Sequence, residues 1–150
     1  MPSSYTCLYY HLIFSTKDRL PLITETLRPR LYDYLGGVIR LNHGISLAVG
    51  GTANHVHLLA ALHKEQAVAA ALRILKTNSS RWVHETFPDL HGFAWQTGYG
   101  AFTVGHSGLA NVTAYIERQE EHHRTVTFEE EFIQFLQQYN IPYDERYLWA

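Results

Sequence analysis

"GGTANHVHLLAAL", Gly50 to Leu62, reads as a buried strand of small and apolar residues, except that His55 and His57 stand one residue apart. Side chains alternate between the two faces of a strand. The two imidazoles therefore point to one side, while Val56 and Leu58 point to the other. The apolar side suits packing against helices. The histidine side must be polar, open to solvent, or bound to something. Imidazoles at this spacing can share one metal ion, and they can equally stand solvated on an open sheet face.

Working outward, "ISLAVGG" gives the preceding strand and "TAN" the turn of a hairpin. "YTCLYYHLIFST", Tyr5 to Thr16, is rich in aromatic and β-branched residues and reads as the first strand. Between them Thr24 resembles an N-cap, and Leu27, Leu31, Tyr34, Leu35 and Val38 recur at helical spacing. Asn42-His43-Gly44 carries a C-cap signal. After the hairpin, "KEQAVAAALRILKTNSSRWVHETF" predicts a long helix, weakened in its middle by Thr-Asn-Ser-Ser and ended by Pro88. "AWQTGYGAFTVG" predicts a fourth strand, and Gly105 and Gly108 bracket a link. "LANVTAYIERQEEHH" predicts one further helix, "TFEEEFIQFLQQYN" a last short one with a capping-box pattern at Thr127 and Glu130, and "IPYDERYLWA" an extended tail. The order β-α-β-β-α-β followed by helices points to an α+β, ferredoxin-like (RRM-like) fold: an antiparallel sheet with helices on one face. No repeat, low-complexity run or long linker divides the chain, so residues 1–150 are expected to form one domain.

Composition narrows the function classes. With 46% hydrophobic and 13% aromatic residues the chain can bury a real core. A net charge of −2 argues against a broadly basic nucleic-acid coat and leaves room for a local basic groove. The single cysteine, Cys7, excludes an internal disulfide and fits a reducing compartment. The sequence begins without a secretory-signal pattern and holds no apolar run near membrane-span length. A cytoplasmic protein with no membrane partner is the expectation.

Tyr115 and Gln119, four residues apart, share one face of the helix expected after Gly108; His122 continues that stripe and Arg118 sits beside it. As a pattern this is also what a surface stripe beside the Leu109, Val112 and Ile116 core stripe looks like. His122 and His123 stand either near a site or at a helix end, where imidazolium suits the dipole.

"HVHLL" followed by the distant "YIERQEEHH" resembles the small single-tyrosine HUH transposases, the insertion-sequence-200-like family with its REP-associated relatives. "YHLIFSTKDRLPLI", "AWQTGYGAFTV" and "TFEEEFIQFLQQYNIPYDERYLW" are similar to that family's opening, to its segment before the tyrosine helix and to the C-terminal segment of many members. The resemblance implies that His55 and His57 are metal ligands, that Gln119 is the third protein ligand, and that Tyr115 is the nucleophile. It implies a divalent cofactor, Mg2+ or Mn2+, and cleavage and rejoining of single-stranded DNA at hairpin-bearing ends through a 5′-phosphotyrosine intermediate. It also implies a homodimer in which the tyrosine helix of one chain serves the histidines of the other, and a prokaryotic, nucleoid-associated setting. A metal suits this chemistry because a phenol, with a pKa of about 10, is a weak nucleophile at neutral pH.

Lys17, Arg19, Arg73, Lys76 and Arg81, with Ser79 and Ser80, are candidates for a local phosphate track, and Trp95 and Tyr99 for stacking on unpaired bases. Phe102 reads as core. Other readings stay open: a domesticated member acting on genomic hairpins, or a non-catalytic single-stranded nucleic-acid-binding module. The latter lacks an RNP-type run. A structural zinc domain lacks its cysteine sets.

Overall fold

The computed structural model describes residues 3–149. Four strands, β1 (Tyr9–Ser15), β2 (Ile45–Gly51), β3 (His55–Ala61) and β4 (Gly100–Val104), form one sheet in the order β2-β3-β1-β4 with every neighbour antiparallel. Helices α1 (Leu27–Leu41) and α2 (Val68–Thr86) fall between the strands; α3 (Leu109–Glu117), α4 (Gln119–His122) and α5 (Phe128–Gln138) follow them. The architecture is the expected α+β, ferredoxin-like one.

Both faces of the sheet are covered, which corrects the expectation of helices on one face. Leu12 and Phe14 of β1 and Val56, Leu58 and Ala60 of β3 pack with α1 and α2 into the larger apolar core. On the other face Ile13 and Phe102 meet Phe128, Phe132 and Leu136 of α5. His55 and His57 lie on this second face and are 0% exposed. Two glycines admit the covering helices. A Cβ on Gly50 would stand 2.5 Å from the Ile116 carbonyl oxygen, and one on Gly100 would stand 2.8 Å from the Phe132 ring. Gly50 is also the register partner of His57, so α3 rests directly beside the imidazole.

Local departures from the sequence reading have physical causes. Helix α1 begins at Leu27, whose N–H donates to Thr24 Oγ1 at 3.2 Å. At its end His43, not glycine, takes the left-handed conformation (φ 65°), while Gly44 is needed because a Cβ there would lie 2.7 Å from the Ala61 carbonyl. Helix α2 runs unbroken through Thr77–Ser80 because Ser79 is buried and accepts the Trp95 indole N–H at 2.9 Å; packing overrides weak propensity. The helix expected from Leu109 onward breaks at Arg118 (φ −103°, ψ 22°), which separates α3 from α4. The tail closes in turns over residues 145–149, and Leu148 and Trp149 pack on the second core. The capping box is present as read: Glu130 N–H donates to Thr127 Oγ1 and Thr127 N–H to Glu130 Oε1. Among the described residues no helix is long and apolar enough to cross a membrane.

Candidate metal and nucleophile site

Strand alternation aims both imidazoles of β3 at the face covered by α3–α5, and their outer nitrogens are held in place. His55 Nδ1 lies 2.8 Å from Asn54 Oδ1 and 3.0 Å from Thr52 Oγ1. With the amide oxygen of Asn54 accepting, Nδ1 carries the proton and Nε2 keeps its lone pair. His57 Nδ1 lies 2.7 Å from Nε2 of His11, a buried histidine of β1. The inner nitrogens converge. His55 Nε2 is 2.9 Å from Gln119 Oε1, and His57 Nε2 is 2.9 Å from Glu131 Oε1.

The break at Arg118 still leaves Tyr115 and Gln119 facing the same point. Gln119, 1% exposed, donates from Nε2 to Glu131 Oε2 at 3.1 Å, which sets its amide oxygen toward His55. The Tyr115 hydroxyl donates to the same Glu131 oxygen, and its ring stands 5.9 Å, centroid to centroid, from that of His57. His122 Nε2 is 3.5 Å from Glu131 Oε2, and His123 Nε2 is 3.1 Å from Glu131 Oε1. The structure thus brings the buried His55, His57 and Gln119 and the half-buried Tyr115 into one cluster within a single chain.

Two members escaped the sequence reading. Glu131 sits in the acidic triplet of the first turn of α5, where carboxylates ordinarily face solvent and favour the helix dipole, yet it is 1% exposed. A signal was there: Phe128, Phe132 and Phe135 flank it at i−3, i+1 and i+4, and Phe128 and Phe135 place position 131 on the inward stripe. His11 was hidden among the aromatics of β1; its alternation with Leu12 puts it on the His57 face.

Burial sets the charges. It pushes the His55 pKa well below the ordinary value, and the neighbouring His57 lowers it further. Desolvation likewise lowers His57, against the pull of Glu131. His11 is lowered to about 3 by burial and by His57. Burial alone would raise the Glu131 carboxyl, but the close approach of His123 and His57 and the Tyr115 hydroxyl outweigh it and hold the group below the carboxylate range. Burial, then the Glu131 carboxylate, holds the Tyr115 phenol protonated far above its usual range. Neutral imidazoles and an ionised carboxylate are ligands in their metal-binding forms.

A divalent cation fits these residues. Ligand atoms of His55, His57, His123 and Glu131 lie within 4.8 Å of one another. The His55 lone pair and the Gln119 amide oxygen face each other, an arrangement of two acceptors that a cation between them satisfies.

The candidate DNA contacts divide into separate places. Arg73, Lys76, Trp95 and Tyr99 line a groove of about 460 Å³ between α2 and the segment before β4. Within it the Lys76 ammonium donates to three carbonyls, of Gln96, Thr97 and Gly98, at 2.9, 3.2 and 2.5 Å. Trp95 packs edge-on against Phe14 and Phe93 with its indole N–H taken by Ser79, whereas Tyr99 is 39% exposed. Arg81 is exposed on α2. Lys17 is exposed after β1, and Arg19 lies over the Trp149 ring and 3.9 Å from Glu129, toward α5.

Fold and site together define a split antiparallel sheet that holds an imidazole pair against a phenol from a later helix. Residues 4–119 match the model of the family described as "Transposase IS200 like", and the chain belongs to that transposase family. It is 29% identical over 119 residues to the ISDra2 transposase TnpA of Deinococcus radiodurans, covering 76% of this chain and 85% of that protein. A crystal structure from Deinococcus radiodurans R1, of a chain described as a transposase, superposes with a TM-score of 0.63 at 26% identity, over 79% of this chain and 96% of that one. A REP-associated tyrosine transposase bound to a REP hairpin shares the fold, with a TM-score of 0.58 at 15% identity over 84% and 76% of the two chains.

Proposed function

We propose that this transposase cleaves and rejoins single-stranded DNA through Tyr115, with a divalent ion, Mg2+ or Mn2+, held by His55, His57 and Gln119. The observation that carries the reading is the meeting of the Tyr115 hydroxyl with the buried imidazole pair through one carboxylate. The ion supplies Lewis acidity for charge that develops on the scissile phosphate. The chain's own groups do the rest. The sheet and α4 fix the ligands; α3 presents the phenol. The phenolic O–H points at Glu131 Oε2, so a carboxylate stands ready to take the proton as the tyrosine O–P bond forms. The P–O3′ bond breaks, and the leaving 3′ oxygen takes up a proton to become a free hydroxyl. The phosphotyrosine keeps the phosphodiester energy, so the reverse attack reseals a strand without ATP.

A DNA hairpin is the proposed substrate feature, supported by the hairpin named with the REP-associated relative and by the groove beside α2. The site forms within one chain. The homodimer with exchanged tyrosine helices, implied by the resemblance, needs α3 to swing about the turn at residues 105–108. Mixing His57→Ala chains with Tyr115→Phe chains separates the two forms: exchanged helices regain one working site, and sites kept within a chain regain none.

The direct test uses labelled hairpin-bearing single-stranded DNA with Mg2+ or Mn2+. A protein–DNA adduct that survives denaturation is expected from the wild type and none from Tyr115→Phe. An adduct of full yield in the variant would move the nucleophile elsewhere.

A further inference from the structure

The ligand set His55, His57 and Gln119 stops at the first residue of α4. The cluster does not. His123, after α4, and Glu131, on α5, project into it from the C-terminal part of the chain.

His123 is built like a metal ligand. Its Nδ1 lies 2.6 Å from the Val126 carbonyl, which can only accept, so Nδ1 carries the proton. Such a bond from the outer nitrogen is how ligating histidines are commonly oriented. That leaves Nε2 as the ring nitrogen that faces the cluster. It is buried, lies 3.1 Å from Glu131 Oε1, and makes no hydrogen bond. The side chain is only 9% exposed, so water does not meet the need.

Glu131 divides its carboxylate. Oε1 stands among the imidazoles, at 2.9 Å from His57, 3.1 Å from His123 and 3.5 Å from His55. Oε2 receives the Tyr115 hydroxyl and the Gln119 amide. A carboxylate buried to this degree is retained only with charge-compensating partners. A divalent ion among the nitrogens of His55, His57 and His123 that converge on Glu131 would be such a partner. A cleft of about 450 Å³ lined by Asn54, His123 and Glu129 reaches His123 from the surface.

We infer that His123 and Glu131 are further ligands of the same divalent ion, which makes the centre a site of three histidines, one carboxylate and the Gln119 amide oxygen that favours Mn2+ and similar transition ions over Mg2+. Imidazole nitrogens suit such ions, while Mg2+ prefers oxygen and retains its water. The inference rests on the reading of His55 and His57 as metal ligands. It adds a consequence: the carboxylate that holds the ion through one oxygen holds the nucleophile through the other.

The experiment measures metal binding without DNA. The full chain, stripped by a chelator, is titrated with Mn2+; the free-ion signal is followed by electron paramagnetic resonance and the heat by calorimetry. Far-UV circular dichroism and a thermal melt of the metal-free proteins check the fold. His57→Ala should abolish binding. Glu131→Gln, nearly isosteric, and His123→Gln should each weaken Mn2+ binding by at least about 10-fold, the smallest effect usual for even an indirect ligand partner. Mg2+ should compete poorly with Mn2+ in the wild type, and its disadvantage should shrink in His123→Gln, which removes an imidazole nitrogen. If both variants bind within twofold of wild type while His57→Ala does not bind, the added ligands are refuted and the imidazole pair stands. If His57→Ala binds like wild type, the imidazole pair itself is not the site, and the inference falls with it. Should one of the two variants fail to fold, the other decides by the same criterion.

Discussion

The two faces of the sheet solve opposite problems with the same strands. Under α1 and α2, β1 and β3 contribute Leu12, Phe14, Val56, Leu58 and Ala60 to the larger apolar core. Under α3–α5 the intervening residues of those strands include His11, His55 and His57, buried as deeply. Burying hydrocarbon gains free energy at roughly 25 cal/mol per Å². Burying imidazoles and a carboxylate costs free energy unless each polar atom finds a partner. The first face secures the fold, and its stability lets the second hold a polar cluster in a fixed, water-poor geometry. Preorganisation of that kind is what a reaction with developing charge requires.

The sharpest way to break this contrast is a pair of neighbouring substitutions on β3. Leu58→Ala should lower unfolding stability by about 2–5 kcal/mol, as buried leucine truncations do. The protein that remains folded should form the DNA adduct at close to the wild-type rate. His57→Ala should leave a folded chain whose adduct yield falls more than about 100-fold, beyond the range for residues that only support a ligand. Denaturant melts and adduct assays on both variants check this; equal loss of activity per folded molecule in the two would end the division of labour.

Acid should expose the same asymmetry. His11, His55 and His57 are all lowered in the folded state, so below pH ~6.5 the unfolded chain binds protons that the folded one refuses. Glu131, also lowered, acts in the same direction. Stability of the metal-free protein should therefore fall as pH drops from about 6.5, by up to ~1.4 kcal/mol per pH unit for each proton taken up. For His11 the loss continues toward about pH 3. His11→Leu should flatten the slope of stability against pH, while Leu58→Ala should shift the curve down without changing its slope.

How far the sequence reached follows from the same contrast. His55 and His57 were legible because strand alternation is a strict rule of period two. Thr127 and Glu130 were legible because a capping box is local. Glu131 was passed over: three consecutive acids at a helix start look alike until the stripe of Phe128 and Phe135 orients the helix, and the docking of α5 on Gly100 then turns position 131 inward. The break at Arg118 was equally hidden, since the residues around it are good helix formers and the bend lets Gln119 reach His55. The covered histidine face was missed because helices that follow a complete ferredoxin-like unit carry no local mark of where they return.

Gly50 offers a milder test of how tightly the polar face is held. Its Cβ would collide with the Ile116 carbonyl, so Gly50→Ala should push α3 off the sheet at a cost of about 1–3 kcal/mol. The larger core should be untouched, so the loss in adduct formation should exceed what the drop in stability explains. A crystal structure or the near-ultraviolet circular dichroism of the aromatic cluster would register the displacement.

The smallest expected effects lie outside both faces, in the groove between α2 and the segment before β4, where two cations stand near each other in unlike states. Arg73 is exposed and free to meet a phosphate, while Lys76 already gives its protons to three carbonyls. Burial lowers the Lys76 pKa to about 8, which weakens its positive charge further at mildly alkaline pH. Removing a cation that pairs with a phosphate should reduce the slope of log affinity against log salt by about 1. Arg73→Ala should do this for single-stranded DNA. Lys76→Met should leave the slope in place and instead loosen residues 96–98, lowering affinity uniformly across salt concentrations. If Lys76→Met removes a unit of slope and Arg73→Ala does not, the ammonium must leave its carbonyls when DNA arrives, and the groove would be a moving part and not a preformed one.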